Sequence, residues 1–175
     1  MTTTRDSFNS WFRDVLNDLS GNKNAGFVVL ITSLTLLERF LREKSGNKEK
    51  DSLDDAFFSA FIKLFPNVPD VAVAKVFWKM CRHGLMHQAA FRTGKGGVSI
   101  VEIGIDESAD VIDFLPIGPN YSFKVSPTKF STRVLSEIDR DFASFEAPGS
   151  PEHPLPQIEI GSTPGSYGYS GFRRT

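Results

Sequence analysis

Cysteine pairs, long apolar runs and an excess of charge of either sign are all missing from this chain, and each absence narrows what it is. The single cysteine, Cys81, has no partner within the chain, so a disulfide framework is excluded and a reducing compartment is expected. The longest apolar run, from Phe27 to Leu37, is interrupted by Thr32, Ser33 and Thr35 and stopped by Glu38-Arg39. It falls short of the ~20 residues a membrane span needs, so no membrane partner is expected. Residues Met1 to Asp6 carry no apolar stretch of the secretory type, which makes the cytoplasm the expected location. A formal net charge of -1 gives no global basic signal, so any contact with nucleic acid must rest on local charge. The sequence has no phosphate-binding glycine loop, no Gly-x-Ser-x-Gly elbow and no Cys-x-x-Cys pair, which removes three common routes to chemistry.

What is present is enough for one domain. The chain has 175 residues, 40% of them hydrophobic, and its aromatics are sixteen Phe against three Tyr and two Trp. Phe has no polar handle that favours a wet surface, so the core is expected to be Phe-rich. Charge is segregated along the chain: Lys75, Lys79, Arg82, Arg92 and Lys95 occur without an acid between Val71 and Gly96, and Glu102, Asp106, Glu107, Asp110 and Asp113 follow without a base. Such segments either pair with each other as solvated faces or form a binding patch.

Periodicity predicts a mainly α fold, a bundle of four to five helices with a small antiparallel β meander between the fourth and last helices. Phe8, Trp11, Phe12, Val15, Leu16 and Leu19 form the stripe of a first helix over residues 7–19, and Ala25 to Lys44 reads as a central buried helix. Ser52 with acids in the following turn caps a third helix carrying Phe57, Phe58, Phe61, Ile62, Leu64 and Phe65. Pro69-Asp70 opens a fourth, whose stripe of Val73, Val76, Phe77, Met80, Cys81 and Leu85 runs into Arg82-His83-Gly84-Leu85-Met86-His87. Short β-rich segments around 98–103, 111–115 and 121–125, separated by Gly, Pro and Asn, give the meander at about 97–125. Ser126-Pro127 begins a last helix that ends at Ala147-Pro148-Gly149. The division expected is therefore a helical domain over 5–147 and a Pro/Gly/Ser-rich tail over 148–175 that lacks the apolar content for a core and reads as disordered.

The chemistry-bearing group is Arg82, His83 and His87, since the third histidine, His153, lies in the tail. His83 and His87 at i and i+4 share a helical face as zinc pairs do, yet no acid lies near them in sequence, so no metal and no other cofactor is expected. Acid–base work on a phosphodiester fits better: an imidazole titrates near neutrality, and a guanidinium presents a fork of donors matched to phosphate oxygens. On a straight helix the five-residue step from Arg82 to His87 separates their side chains by about 140°. Either Gly84 relaxes the helix, or Arg82 reaches round, or a second copy completes the site. Glu38, at the end of the apolar part of the central helix, either orients Arg82 or pairs with Arg42 on the surface. Lys79 and Trp78, one turn before Arg82, are candidates for substrate contact, although a helical Trp more often belongs to a core or an interface.

Arg82-x4-His87, with a polar residue directly after the Arg, resembles the Arg-x(4 to 6)-His signature of the HEPN superfamily. The run Phe77 to Gln88 is similar to the "helix, Arg-polar-Gly-Leu-x-His-Gln" stretch of bacterial members, and the likeness covers residues 77–91 by motif and 7–146 by architecture. The resemblance implies a helical bundle and a metal-independent endoribonuclease, acting as a homodimer whose two copies of Arg82 and His87 build a composite cleft. In it His87 would move the proton, Arg82 would hold the phosphate and His83 would be the polar accessory, where the commoner residue is Asn. RNA is then the substrate, a cognate inhibitor protein is a further partner, and toxin, antiphage or RNA-processing roles are implied. The alternatives are a catalytically inactive relative that binds a nucleotide or a partner, and an unrelated helical scaffold.

Overall fold

The computed structural model describes residues 4–22, 24–47, 52–85, 100–117 and 120–146, with His83 and residues 100–103 described by their backbone alone. The chain is mainly helical, with one small sheet. Helix α1 (Thr4–Phe8) runs through a π-helical turn (Asn9–Arg13) into α2 (Asp14–Leu19), and α3 (Gly26–Ser45) follows. Then come α4 (Asp55–Leu64), α5 (Val71–Trp78) and a second π turn (Lys79–His83). The strands β1 (Ile100–Ile105), β2 (Ile112–Ile117) and β3 (Asn120–Val125) precede α6 (Pro127–Arg140) and α7 (Phe142–Glu146). Among the described residues no helix is long and apolar enough to cross a membrane.

The predicted helices are present, with differences that have local causes. The α4 cap is Asp54, whose carboxylate accepts from the Phe57 N–H at 2.9 Å, and not Ser52, which precedes it as an exposed loop residue. Asp70 caps α5 in the same way, accepting from the Val73 N–H at 2.9 Å. The last helix is two pieces, because Asp141 leaves the helical conformation (φ -141°, ψ 61°) between α6 and α7. Gly46, at φ 72°, closes α3 in the left-handed conformation, where a side chain is strained.

The two π turns explain which apolar residues are inside. In the first helix the buried side chains are Phe8 and Leu16, with Phe12 packed against them, while Trp11 and Val15 of the predicted stripe are exposed. Eight residues of α-helix overshoot two full turns by about 80°. A π turn closes on the fifth residue instead of the fourth and absorbs most of that overshoot, so Phe8, Phe12 and Leu16 share one face. The same device operates at Val73, Phe77, Cys81 and Leu85, all buried at a spacing of four through the second π turn. A straight helix would drift about 120° over that length.

The core lies between α3 and the elements packed around it: α2, α4, α6, α7 and the second π turn. It is as Phe-rich as the composition implies. Phe61 sits against Phe65, Phe77 and Trp78 with ring centroids 4.9–5.6 Å apart, and Phe65 stacks on Phe130 at 5.0 Å. Phe123 of β3 meets Phe77 at 5.1 Å, which docks the sheet onto α5. Arg39 of α3 donates from Nε to the Phe145 carbonyl at 3.1 Å, tying down α7, and burial lowers the pKa of its guanidinium.

The sheet corrects the predicted antiparallel meander. Its strand order is β1-β3-β2, with β2 antiparallel and β1 parallel to β3. Strands β1 and β2 run in opposite directions, as in a hairpin, but β3 is inserted between them. The link from β1 to β2 crosses the end of β3, where the Asp106 N–H donates to the Val125 carbonyl at 3.0 Å. Period-two patterning marks a strand and its inner face without naming its neighbour, and the strand with both partners is the one whose Phe123 and Val125 are completely buried.

Candidate functional site

The site forms where the C-terminal half of α3 passes the second π turn. The π turn keeps Cys81 in the core and leaves the next residue, Arg82, at its margin with a side chain 34% exposed. Arg82 donates from Nε to Glu38 Oε2 at 2.7 Å and from Nη2 to Oε1 at 3.4 Å. Arg42, one turn further along α3, donates from Nε to Glu38 Oε1 at 3.0 Å, and its Nη2 lies 3.0 Å from the same oxygen. Glu38 itself is 9% exposed. A carboxylate removed from water to this degree needs charged partners, and here it has two. Glu38 therefore meets both Arg82 and Arg42, and the pair with Arg42 is part-buried and not on the open surface.

This network lines a pocket of about 270 Å³. Glu38, Arg42, Lys79 and Arg82 supply its charges, and Ser52 and Leu53, from the loop before α4, face them. Among the described residues that line it, three side chains are cationic and one is a carboxylate. Trp78 contributes to the wall but belongs to the core: it is 4% exposed and packs edge-on against Phe57 and Phe61 at 4.9 and 5.6 Å. It offers little open ring face for stacking. Its indole Nε1, a donor, is buried and without a hydrogen-bond partner among the described residues.

Of the residues singled out from the sequence, Arg82, Glu38, Lys79 and Trp78 meet at this pocket. His83 is placed on the second π turn by its backbone. His87 lies outside the described residues, as do Arg92, Lys95 and the tail over 148–175. Arg42, Ser52 and Leu53 were not foreseen as site residues. The spacing of Glu38 and Arg42 was the available signal for the first of these, whereas nothing local marks a loop residue that the fold carries there. Cys81 is fully buried, and desolvation pushes its thiol well above the ordinary range, which makes it a packing residue.

The segregated charges do not neutralise each other in the described ion pairs. Lys75 pairs with Asp55 and Arg82 with Glu38, whereas Asp106 of the acidic segment pairs with Lys124. Among the described residues no group of three or more His, Cys, Asp or Glu is placed to hold a metal ion. The arrangement is suited to binding an anion through guanidinium forks held in place by a buried carboxylate. Comparison with protein-family models, with curated proteins and with solved structures finds no match for this chain.

Proposed function

We propose that this protein is a HEPN-like, metal-independent endoribonuclease whose phosphate-holding group is Arg82 and whose proton-transfer group is His87. The observation that carries the reading is the Arg82–Glu38 contact of 2.7 Å at the wall of a pocket that Arg42 and Lys79 also line. A guanidinium must already stand at the site when the phosphate arrives, and in the free protein the Glu38 carboxylate holds it there. The second support is the π turn itself, since such turns occur often at functional sites and this one carries Arg82 and His83.

Cleavage by this chemistry uses the RNA's own 2′-hydroxyl as nucleophile. One group takes its proton, another protonates the leaving 5′-oxygen, and a cation neutralises the phosphorane-like charge that develops between them. His87 and the accessory His83 are the residues for proton transfer, and two copies of the chain in a homodimer would supply a pair of each. Lys79, exposed at the pocket rim, would meet a neighbouring phosphate as a point charge. A role in a toxin, antiphage or RNA-processing system, with a cognate inhibitor, follows from the resemblance alone.

The test is direct. Purified protein in excess chelator is expected to cleave single-stranded RNA and to spare DNA of the same sequence, which lacks the nucleophile. His87→Ala is expected to lower the rate by roughly 100-fold to 10,000-fold with the fold intact, the usual cost of losing an acid–base group. Full activity in that variant, or activity that disappears with chelator, contradicts the reading.

A further inference from the structure

We propose that Glu38 acts as an internal stand-in for the ligand's phosphate, and that Arg42 is a second phosphate-binding residue which Glu38 releases together with Arg82 when a phosphate group enters. The inference rests on the reading of this pocket as the phosphate subsite but not on cleavage itself.

The geometry is that of an anion site already filled from within. Glu38 Oε1 accepts from Arg42 Nε at 3.0 Å and from Arg82 Nη2 at 3.4 Å, while Oε2 takes Arg82 Nε at 2.7 Å. Two guanidinium forks thus converge on one carboxylate group; a phosphodiester offers the same pair of anionic oxygens, and a terminal phosphate adds a third oxygen and more negative charge. Both arginines line the pocket, so an entering phosphate meets them without rearranging the helices. At about 270 Å³ the pocket falls just short of the usual range for small-molecule sites, which suits one phosphate with its sugar rather than a run of nucleotides.

A competing internal anion has a consequence that a structural ion pair lacks: removing its charge strengthens ligand binding. In Glu38→Gln the side chain keeps its shape and one acceptor, while the guanidinium groups lose the charge that holds them. Arg42→Met removes one fork, and Arg42→Lys keeps the charge without the fork.

The experiment measures binding of two probes by calorimetry and fluorescence anisotropy at low salt: adenosine 5′-monophosphate, and a fully 2′-O-methylated RNA oligonucleotide that this chemistry cannot cut. Each variant is first checked for its helical circular dichroism. Glu38→Gln is expected to bind adenosine monophosphate about tenfold tighter than the wild type, and Arg42→Met about tenfold weaker, as loss or gain of one charge-assisted contact implies. Arg42→Lys is expected to fall between, and it decides together with Glu38→Gln if Arg42→Met does not fold. Weaker or unchanged binding in folded Glu38→Gln overturns the proposal, as does the absence of binding of either probe to wild type and Glu38→Gln alike. Adenosine monophosphate binding with the expected pattern in a protein that does not cut RNA sustains this inference and removes the nuclease. RNA cleavage with no change of binding in any variant does the reverse.

Discussion

Glu38 links the stability of the fold to the proposed phosphate site, because two arginines depend on its carboxylate. With the carboxylate removed, Arg42 and Arg82 face each other at side-chain exposures of 17% and 34%, so part of their charge is answered by water and part is not. Glu38→Ala is therefore expected to destabilise the fold by about 1–3 kcal/mol, below the full cost of orphaning a buried charge, and urea unfolding measures it. Phe61 has no such solvent contact. Truncation to Ala leaves a void among Phe65, Phe77 and Trp78 and is expected to lower stability by about 3–5 kcal/mol by the same measurement. At this scale the contact between Arg82 and Glu38 was readable from the sequence, since it follows from residue type and position on helices. Spacing places Arg42 one turn from Glu38 but does not report how far the pair is buried. Ser52 and Leu53 reach the pocket through a fold that periodicity does not specify.

At the scale of single elements, the helices were legible because caps and apolar stripes are local. The π turns were legible in principle as well, since Phe8, Phe12 and Leu16, and then Val73, Phe77, Cys81 and Leu85, repeat every four residues rather than every 3.6. The order and direction of the strands were not, because pairing is a long-range choice. Two elements give direct tests. Gly46 ends α3 at φ 72°, and Gly46→Ala is expected to cost about 1–2 kcal/mol of stability, read as a lower urea midpoint with unchanged slope. The link that crosses β3 depends on Asp106. Hydrogen bonds from Ser108, first of all, and from Lys124 hold its pKa down to about 2 from 3.8. A carboxyl depressed in the folded state adds stability that is fully present above its unfolded value and is lost as pH falls through the folded one. The melting-temperature gap between wild type and Asp106→Asn is thus expected to be constant above pH ~5 and to close between pH ~4 and ~2. A gap that keeps its full size at pH 2 contradicts this assignment.

For the molecule as a whole, a composite site requires two copies. The large apolar residues that are exposed among those described, including Trp11, Val15, Phe27, Val28, Leu115 and Ile117, lie on the first helix, the start of α3 and β2, and not on α5. Among the described residues, the face of α5 and the second π turn thus offers polar contacts to a second copy, and light scattering at micromolar concentration is expected to give twice the chain mass at low salt, with dissociation as salt rises. The central claim is narrower than assembly: the pocket of Arg82, Glu38 and Arg42 holds the phosphate of an RNA that attacks itself. The measurement closest to that claim uses an RNA oligonucleotide and its end groups after incubation with the protein in chelator, with a second oligonucleotide carrying 2′-deoxy sugars at the sites cleaved in the first. The account predicts 2′,3′-cyclic phosphate ends from the first and intact, still bound, second oligonucleotide. Cleavage of the deoxy-substituted sites, or 5′-phosphate ends from the all-ribose substrate, would contradict it.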